Sequence, residues 1–191
     1  MIPAFNLSGV LPPFLGGTPT DPGGVAPYDT NTLEIAMSLA ASAERIDILK
    51  GLIAYRTELK NAGIQNGFQW IDGSFVEDVE GNRLQTPRDI DVVTFAERPA
   101  DLTDPGAWNR FVNTRRDLFY PPVSKTTYKC DAYFSDLNLP PPVLISRSSY
   151  WFGLFSHQRA SYLWKGLLQI SLQDDDSAAL AYLNRGGSNA Q

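Results

Sequence analysis

Cysteine and histidine are almost absent from this chain of 191 residues, which contains one of each, Cys130 and His157. A single cysteine cannot form a disulfide within the chain, and the pair cannot supply the thiolate and imidazole ligands of a structural zinc site. A Ser-His-Asp triad would have to use His157 as its base. The groups left for chemistry are mainly carboxylates, hydroxyls and cations.

Long apolar runs and an excess of positive charge are also lacking. No apolar run reaches the roughly 18 to 20 residues that span a bilayer, and the start of the chain lacks the basic and apolar regions of a signal peptide. With a single free cysteine, these absences predict a cytoplasmic protein without a membrane segment. The net charge of −5 argues against a globally basic nucleic-acid binder, although it leaves room for a local basic patch.

The composition nevertheless supplies a core. Apolar residues make up 43% of the chain and aromatic residues 12%, which excludes a disordered protein, a collagen-like fibre and a coiled coil. The length fits one domain with an arm. We predict an N-terminal arm over residues 1–27, a domain over 28–185 and a flexible tail over 186–191.

The arm is rich in proline and glycine. Its six prolines and five glycines exclude a regular helix or a central strand. Its apolar side chains, such as Leu11 and Phe14, indicate an extended segment that lies across the domain or across a partner. A partly disordered tail is the alternative.

Helical and strand patterns alternate along the rest of the chain. Helical spacing runs from residue 29 to Gly63, as one bent helix or two, and returns after Pro105 until Pro121. Further elements are predicted as strands over 67–72, 89–95, 126–134 and 166–172 and as helices over 147–164 and 177–184. This interleaving predicts one α/β (α+β) domain.

Two aspartates, Asp89 and Asp91, open the predicted strand at 89–95. Alternation along a strand places them on the same face, about 6–7 Å apart. Two adjacent carboxylates repel each other, and a divalent cation held by oxygen ligands is a natural compensation. A pair that simply faces water at the end of the strand is the alternative.

A glycine-serine turn, Gly73-Ser74, precedes this strand, and a third aspartate, Asp131, lies within the predicted strand at 126–134. Such a turn exposes backbone N–H groups where a phosphate can approach. Asp136 is the second candidate for the third carboxylate, although a turn-capping role suits it better. A Gly-Ser turn followed by Asp-x-Asp and a later strand aspartate resembles the DNA polymerase β-like nucleotidyltransferase superfamily. The early Leu11-Pro12-Pro13 and the end piece from Trp151 to Gly166 are similar to its small stand-alone bacterial members.

The resemblance implies a fold, a reaction and a set of site residues. The expected fold is a mixed β-sheet flanked by helices, and the expected reaction is Mg²⁺-dependent transfer of a nucleoside monophosphate from an NTP, ATP above all, to a hydroxyl. Two ions, Mg²⁺ or alternatively Mn²⁺, would be held by the aspartates, with Asp131 completing one site and assisting deprotonation of the hydroxyl. Gly73 and Ser74 would orient the phosphates. The catalytic and metal-binding residues implied are Asp89, Asp91 and Asp131.

The resemblance leaves the acceptor and the activity open. A protein side chain, an RNA 3′ end or a nucleotide could accept the nucleotide, and a toxin–antitoxin or phage-defence partner is the implied context. The alternatives are a catalytically inactive module that binds a nucleotide or a partner, and phosphate-ester hydrolysis at the same centre.

Several cations are candidates for contacts to the nucleotide. Arg88 lies beside the paired aspartates and either balances their charge or is solvated. Lys129 is the preferred phosphate contact in a basic stretch, since it shares the predicted strand face of Asp131. Tyr162, flanked by the cations Arg159 and Lys165, could stack on a base or belong to the core.

Overall fold

The computed structural model describes residues 1–159 and 161–186. Five strands form one sheet: β1 Tyr28–Thr30, β2 Gly67–Asp72, β3 Ile90–Ala96, β4 Cys130–Asp136 and β5 Leu168–Ser171. The described helices are α1 Thr32–Leu39, α2 Ala43–Asn61, α3 Val79–Arg83, α4 Pro105–Thr114, α5 Arg116–Phe119, α6 Pro121–Tyr128, α7 Pro141–Phe155 and α8 Ser177–Asn184. Within the described ranges, no helix is long and apolar enough to cross a membrane.

The sheet is mixed, with the strand order β1-β5-β2-β3-β4. The two outer pairs, β1 with β5 and β3 with β4, are parallel, and β2 runs antiparallel to both of its neighbours. The predicted class of an α+β domain with a mixed sheet is therefore confirmed. Of the tail predicted over 186–191, only Gly186 is among the described residues, and 187–191 lie outside them.

The first helical stretch is two helices. Leu39 ends α1, and Ser42 begins α2 by accepting a hydrogen bond from the backbone N–H of Arg45. An N-cap of this kind satisfies one of the free donors of the first turn. The stretch between residues 29 and 63 is thus interrupted because a capping serine restarts the helix.

The predicted strand over 126–134 begins later than expected. Helix α6 continues to Tyr128, and Lys129 then adopts a left-handed conformation with φ 57°. Strand β4 starts only at Cys130. The reason lies in Pro121, which we took as the end of a helix but which occupies the first turn of α6, where proline is well accommodated.

The helix predicted over 147–164 is also displaced, because α7 spans Pro141–Phe155. Pro141 and Pro142 lie in its first turn, where a fixed φ suits the helix and the missing N–H costs nothing. Beyond the end of the helix, His157 and Trp164 form an isolated bridge. Tyr162 is exposed to solvent and is not part of the core.

A buried arginine, Arg56, joins helix α2 to the sheet. Its side chain is fully buried and donates hydrogen bonds to Asp176, to Gln69 of β2 and to the carbonyl of Ser171 in β5. A buried guanidinium needs several acceptors to offset its loss of hydration. The network therefore anchors one side of the sheet to the helical layer.

The arm packs on its own domain. Val10 and Leu11 are fully buried, and the backbone N–H of Gly166 donates to the carbonyl of Leu11 at 2.8 Å. The hydroxyl of Tyr28 donates to the carbonyl of Pro12 at 2.7 Å. Of the alternatives open at the sequence level, these described arm residues support contact with the domain.

Candidate active site

The strand register brings three aspartates into one row. Asp91 of β3 pairs with Asp72 of β2 on one side and with Asp131 of β4 on the other. Adjacent strands lie about 4.8 Å apart, so the three side chains start from neighbouring positions on one face. Asp89 stands just before β3, and all four aspartates line a single cavity of about 790 Å³.

Asp89 and Asp131 share one cation, the ammonium group of Lys125 on helix α6. The Nζ atom of Lys125 lies 2.5 Å from Oδ2 of Asp89 and 3.5 Å from Oδ2 of Asp131. Lys125 is on α6, one turn before β4 begins, which brings its side chain level with the row. The cation that faces the row is therefore Lys125, and it offsets part of the negative charge.

Asp91 lies deepest of the three predicted carboxylates. Burial, followed by the charges of Asp89 and Asp131, raises the pKa of Asp91 to about 6 against the opposing effect of Lys125 and Lys165. These are the two causes that disfavour an ionised carboxyl group, loss of hydration and nearby like charge. The row thus holds more negative charge than Lys125 offsets, which is the condition that favours a bound cation.

The Gly73-Ser74 turn lies directly against this row. Gly73 follows β2 with φ 86°, and a Cβ atom at this position would lie 2.6 Å from Oδ2 of Asp91. Glycine is required here because the backbone turns in a left-handed conformation and passes close to a carboxylate. Ser74 then begins a short 3₁₀ turn and lines the cavity. The predicted turn and the predicted aspartates therefore meet.

A buried lysine, Lys165, forms ion pairs with residues on both sides of the Gly73-Ser74 turn. Its side chain is 2% exposed, and its Nζ atom lies 2.9 Å from Oδ1 of Asp72 and 2.9 Å from Oε1 of Glu77. Burial lowers the pKa of Lys165, but the two carboxylates outweigh this and raise it above its usual value. Lys165 is therefore a charged, buried partner of the turn and not the exposed cation beside a stacking aromatic.

Asp72 has a partner that the sequence did not indicate. We considered a strand-end cap or an outer metal contact for it, and it instead forms an ion pair with Lys165. Burial raises the pKa of Asp72 to about 7 in spite of that lysine. Its Oδ1 atom is buried and has no properly oriented hydrogen bond with any residue that the structure describes.

Glu77 joins both walls of the cavity. Its Oε2 atom accepts hydrogen bonds from Arg83 at 2.7 Å and from Gln158 at 2.9 Å, while Oε1 accepts from Lys165. The buried Arg45 donates to the backbone carbonyl of Glu77 at 2.7 Å. Sequence reasoning missed Glu77 because it lies in a polar stretch, and missed the role of Lys165 because its partners are about ninety residues away.

Two arginines also line the cavity, Arg83 of α3 and Arg159 after α7, and we call this pair the basic wall. Arg83 is paired with Glu77. His157 and the exposed ring of Tyr162 line the cavity as well. Tyr162 has φ 57°, an uncommon conformation for a residue with a side chain.

Two predicted nucleotide contacts are not at the site. Lys129 does not share the face of Asp131, because its left-handed conformation turns its side chain towards Asp47 of α2, with which it forms an ion pair. Arg88 is exposed and does not line the cavity. Arg83 and Arg159 take their place as the cavity arginines.

The chemistry of the row suits a hard divalent cation. Asp89, Asp91 and Asp131 present carboxylate oxygens, the donors that Mg²⁺ prefers, whereas the buried Asp72 beside them is paired with Lys165. In the ranges 1–159 and 161–186, no three acidic, histidine or cysteine side chains are preassembled as a metal-binding group. Asp89 and Asp131 pair with Lys125, and this pairing must break before they hold a metal ion.

Comparison with known proteins places the chain in a family without giving it an activity. Residues 3–171 match the family described as "Family of unknown function (DUF6932)". No curated protein and no solved structure matches the chain. The match spans nearly all of the arm, the aspartate row and all five described strands.

Proposed function

The chain belongs to the DUF6932 family, and we propose that it is a cytoplasmic, Mg²⁺-dependent nucleotidyltransferase. It would transfer a nucleoside monophosphate from an NTP, ATP above all, to a hydroxyl group. One observation carries the proposal: the register that places Asp91 beside Asp131, with the Gly73-Ser74 turn against Asp91, in one cavity. Neither the row nor the turn alone would support it.

The aspartates have separate parts in this reaction. Asp89, Asp91 and Asp131 would hold two Mg²⁺ ions, for which Mn²⁺ could substitute. Bound there, the ions would supply Lewis-acid stabilisation of the phosphates. Asp131, which is 24% exposed at the cavity wall, would accept the proton of the attacking hydroxyl.

The turn and the basic wall are suited to the phosphates. Gly73 and Ser74 line the cavity together with the aspartates, and the turn would bind the phosphates through its free backbone N–H groups and the Ser74 hydroxyl. Arg83 and Arg159 would supply positive charge in place of Arg88 and Lys129. Phosphoryl transfer depends mainly on positioning and on charge stabilisation, and these residues would supply both.

The acceptor is proposed only as a class. A protein side chain, an RNA 3′ end or a nucleotide each offers a hydroxyl, and a toxin–antitoxin or phage-defence partner would supply one. A second candidate function, a module that binds a nucleotide or a partner without turnover, is favoured by one observation. The carboxylates of Asp89 and Asp131 already pair with Lys125 and are not preassembled around a metal.

Label transfer separates the two functions. The purified chain is incubated with Mg²⁺, each of four α-labelled NTPs, and cellular RNA or protein. We expect label in one acceptor class, and a loss of about a hundredfold or more in Asp89→Asn and Asp91→Asn. Asp47→Asn, at an exposed acid outside the cavity, is the matched control and should retain activity. NTP binding without label transfer under any condition would favour the non-catalytic module.

A further inference from the structure

Lys125 is held in place by the local structure of α6. The hydroxyl of Ser124 donates to the carbonyls of Pro121 and Cys130, at 3.1 and 2.9 Å, and so ties the helix to the start of β4. The ring of Tyr128 packs on Tyr55 of α2, with centroids 5.7 Å apart. The backbone that carries Lys125 is therefore fixed against the row of aspartates.

The ammonium group of Lys125 lies in the space that a cation bound by these aspartates would fill. It lies within ion-pairing distance of Asp89, two residues before Asp91 in the chain, and of Asp131, which pairs with Asp91 across the sheet. Two carboxylates that converge on one positive charge offer the same oxygens that a divalent cation would use. A metal ion and the Lys125 ammonium group cannot both occupy this space.

We propose that Lys125 is an internal counter-ion that occupies the cation position of the aspartate row and must leave it before a divalent cation binds. This inference rests on the proposed function and adds its regulation: the affinity for metal is set by competition with a tethered lysine. In the metal-free protein the lysine neutralises the row. As the metal ion binds, Lys125 moves into solvent.

Lys125 and Lys165 differ in exposure, and this difference decides which of them can move away from its carboxylate partners. The side chain of Lys125 is 49% exposed, so its ammonium group can be rehydrated when it moves away. Lys165, at 2% exposure, is enclosed by Asp72 and Glu77 and has no comparable route to water. Breaking a half-exposed ion pair costs little, whereas uncovering a buried one costs several kcal/mol by the general rule.

The test measures metal binding itself. Mn²⁺ is titrated into the metal-free full-length chain, and the free ion is followed by electron paramagnetic resonance. Lys125→Gln is compared with Lys129→Gln, which removes the same charge four residues away from a lysine that pairs with Asp47 outside the cavity. We expect Lys125→Gln to lower the Kd for Mn²⁺ about fivefold, and Lys129→Gln to change it less than twofold.

Two further variants fix the interpretation. Lys125→Arg keeps the charge and should keep the wild-type Kd to within about twofold, while Asp91→Asn in the Lys125→Gln background should abolish binding. Thermal unfolding of the metal-free variants confirms that each is folded, and Mn²⁺ should raise the Tm of Lys125→Gln more than that of Lys129→Gln.

The outcomes distinguish this inference from the proposed function. Equal Kd values for Lys125→Gln and Lys129→Gln, or weaker binding by Lys125→Gln, would overturn the counter-ion role while leaving the metal site intact. If neither the wild type nor any variant binds Mn²⁺, the proposed function fails together with the inference. Label transfer without a change in Kd would retain the enzyme and reject the competition.

Discussion

The carboxyl group of Asp91 lies between two other acids and is largely removed from water. Burial first, and then Asp89 and Asp131, raise the pKa of Asp91 to about 6. A carboxyl group whose pKa is higher in the folded protein than in the unfolded chain takes up protons on folding. Its ionisation therefore opposes folding at neutral pH, and a bound cation would relieve that cost.

The sign of this effect gives a prediction for Asp91→Asn. Between the unfolded pKa near 4 and the folded pKa of about 6, the contribution of Asp91 to the free energy of unfolding falls as the pH rises, because its ionised form is penalised in the folded protein. In metal-free protein at pH 7.5 we expect Asp91→Asn to raise the free energy of unfolding by about 2 kcal/mol, and the Tm by about 5 °C. The difference should vanish below about pH 4.

Thermal unfolding in the presence of a chelator, repeated from pH 4 to 8, makes the measurement. Asp47→Asn is the control, since it removes a carboxylate that is 60% exposed. A stability gain that is equal at every pH would show that the amide acts through packing and not through the ionisation of Asp91.

At the residue scale, the sequence was informative where chemistry and local spacing coincide. Asp89, Asp91 and the Gly73-Ser74 turn could be recognised because alternation along a strand and the glycine signal are local. Lys125 and Lys165 could not be assigned, because their partners are fixed by the packing of other elements. Lys129 was misassigned because one left-handed residue reverses the direction of its side chain.

At the scale of elements, two of the misplaced helix and strand boundaries lie at prolines. The strands at 67–72 and 89–95 were found to within one residue, since β-branched and aromatic residues alternate between turns. The start of β4 was missed because Pro121 begins a helix and was taken as the end of one. The start of α7 was placed too late because Pro141 and Pro142 lie in its first turn. Strand order and register, which create the row of aspartates, depend on contacts between distant segments.

The loop between β2 and α3 is supported by a buried ion-pair network centred on Lys165. Replacing Lys165 with methionine leaves the buried Asp72 and Glu77 without their shared cation. We expect a loss of about 3 kcal/mol in the free energy of unfolding, measured with urea. Lys129→Met, at an exposed ion pair, should cost less than about 1 kcal/mol.

A double variant tests whether the charge is the cause. Asp72→Asn added to Lys165→Met removes the buried carboxylate that has lost its ion-pair partner, whereas Glu77 keeps its pair with Arg83, so this double variant should recover part of the lost stability. If the losses of Lys165→Met and Asp72→Asn simply add, the two residues do not act as one network.

At the scale of the whole molecule, the arm is part of the domain that it crosses. Leu11 is fully buried. Two residues earlier, the carbonyl of Gly9 accepts a hydrogen bond at 2.8 Å from the backbone N–H of Asp78, which follows Glu77 in the chain. The carbonyl of Leu11 accepts a hydrogen bond from the backbone N–H of Gly166, which follows Lys165. The arm therefore supports both segments that position the basic wall of the cavity.

Two leucines of the arm provide a matched prediction. Leu11→Ala should lower the free energy of unfolding by about 2–4 kcal/mol, the usual cost of a cavity at a buried leucine. Leu7→Ala, in the same arm but fully exposed, should change it by less than about 0.5 kcal/mol. Urea unfolding of both variants makes the comparison, and equal effects would mean that the arm is not an integral part of the core.

The strand order also constrains the sequence of events when the chain folds during synthesis. Strand β5, at residues 168–171, is inserted between β1 and β2, which are made long before it. A nascent chain that has emerged only as far as β4 can pair β2, β3 and β4, but it leaves one edge of β2 open and β1 without a neighbour. The arm leaves the ribosome before the rest of the domain, but it can complete its contacts with Gly166 only after that residue has emerged. This architecture therefore favours late closure of the sheet over domain formation from the arm onwards.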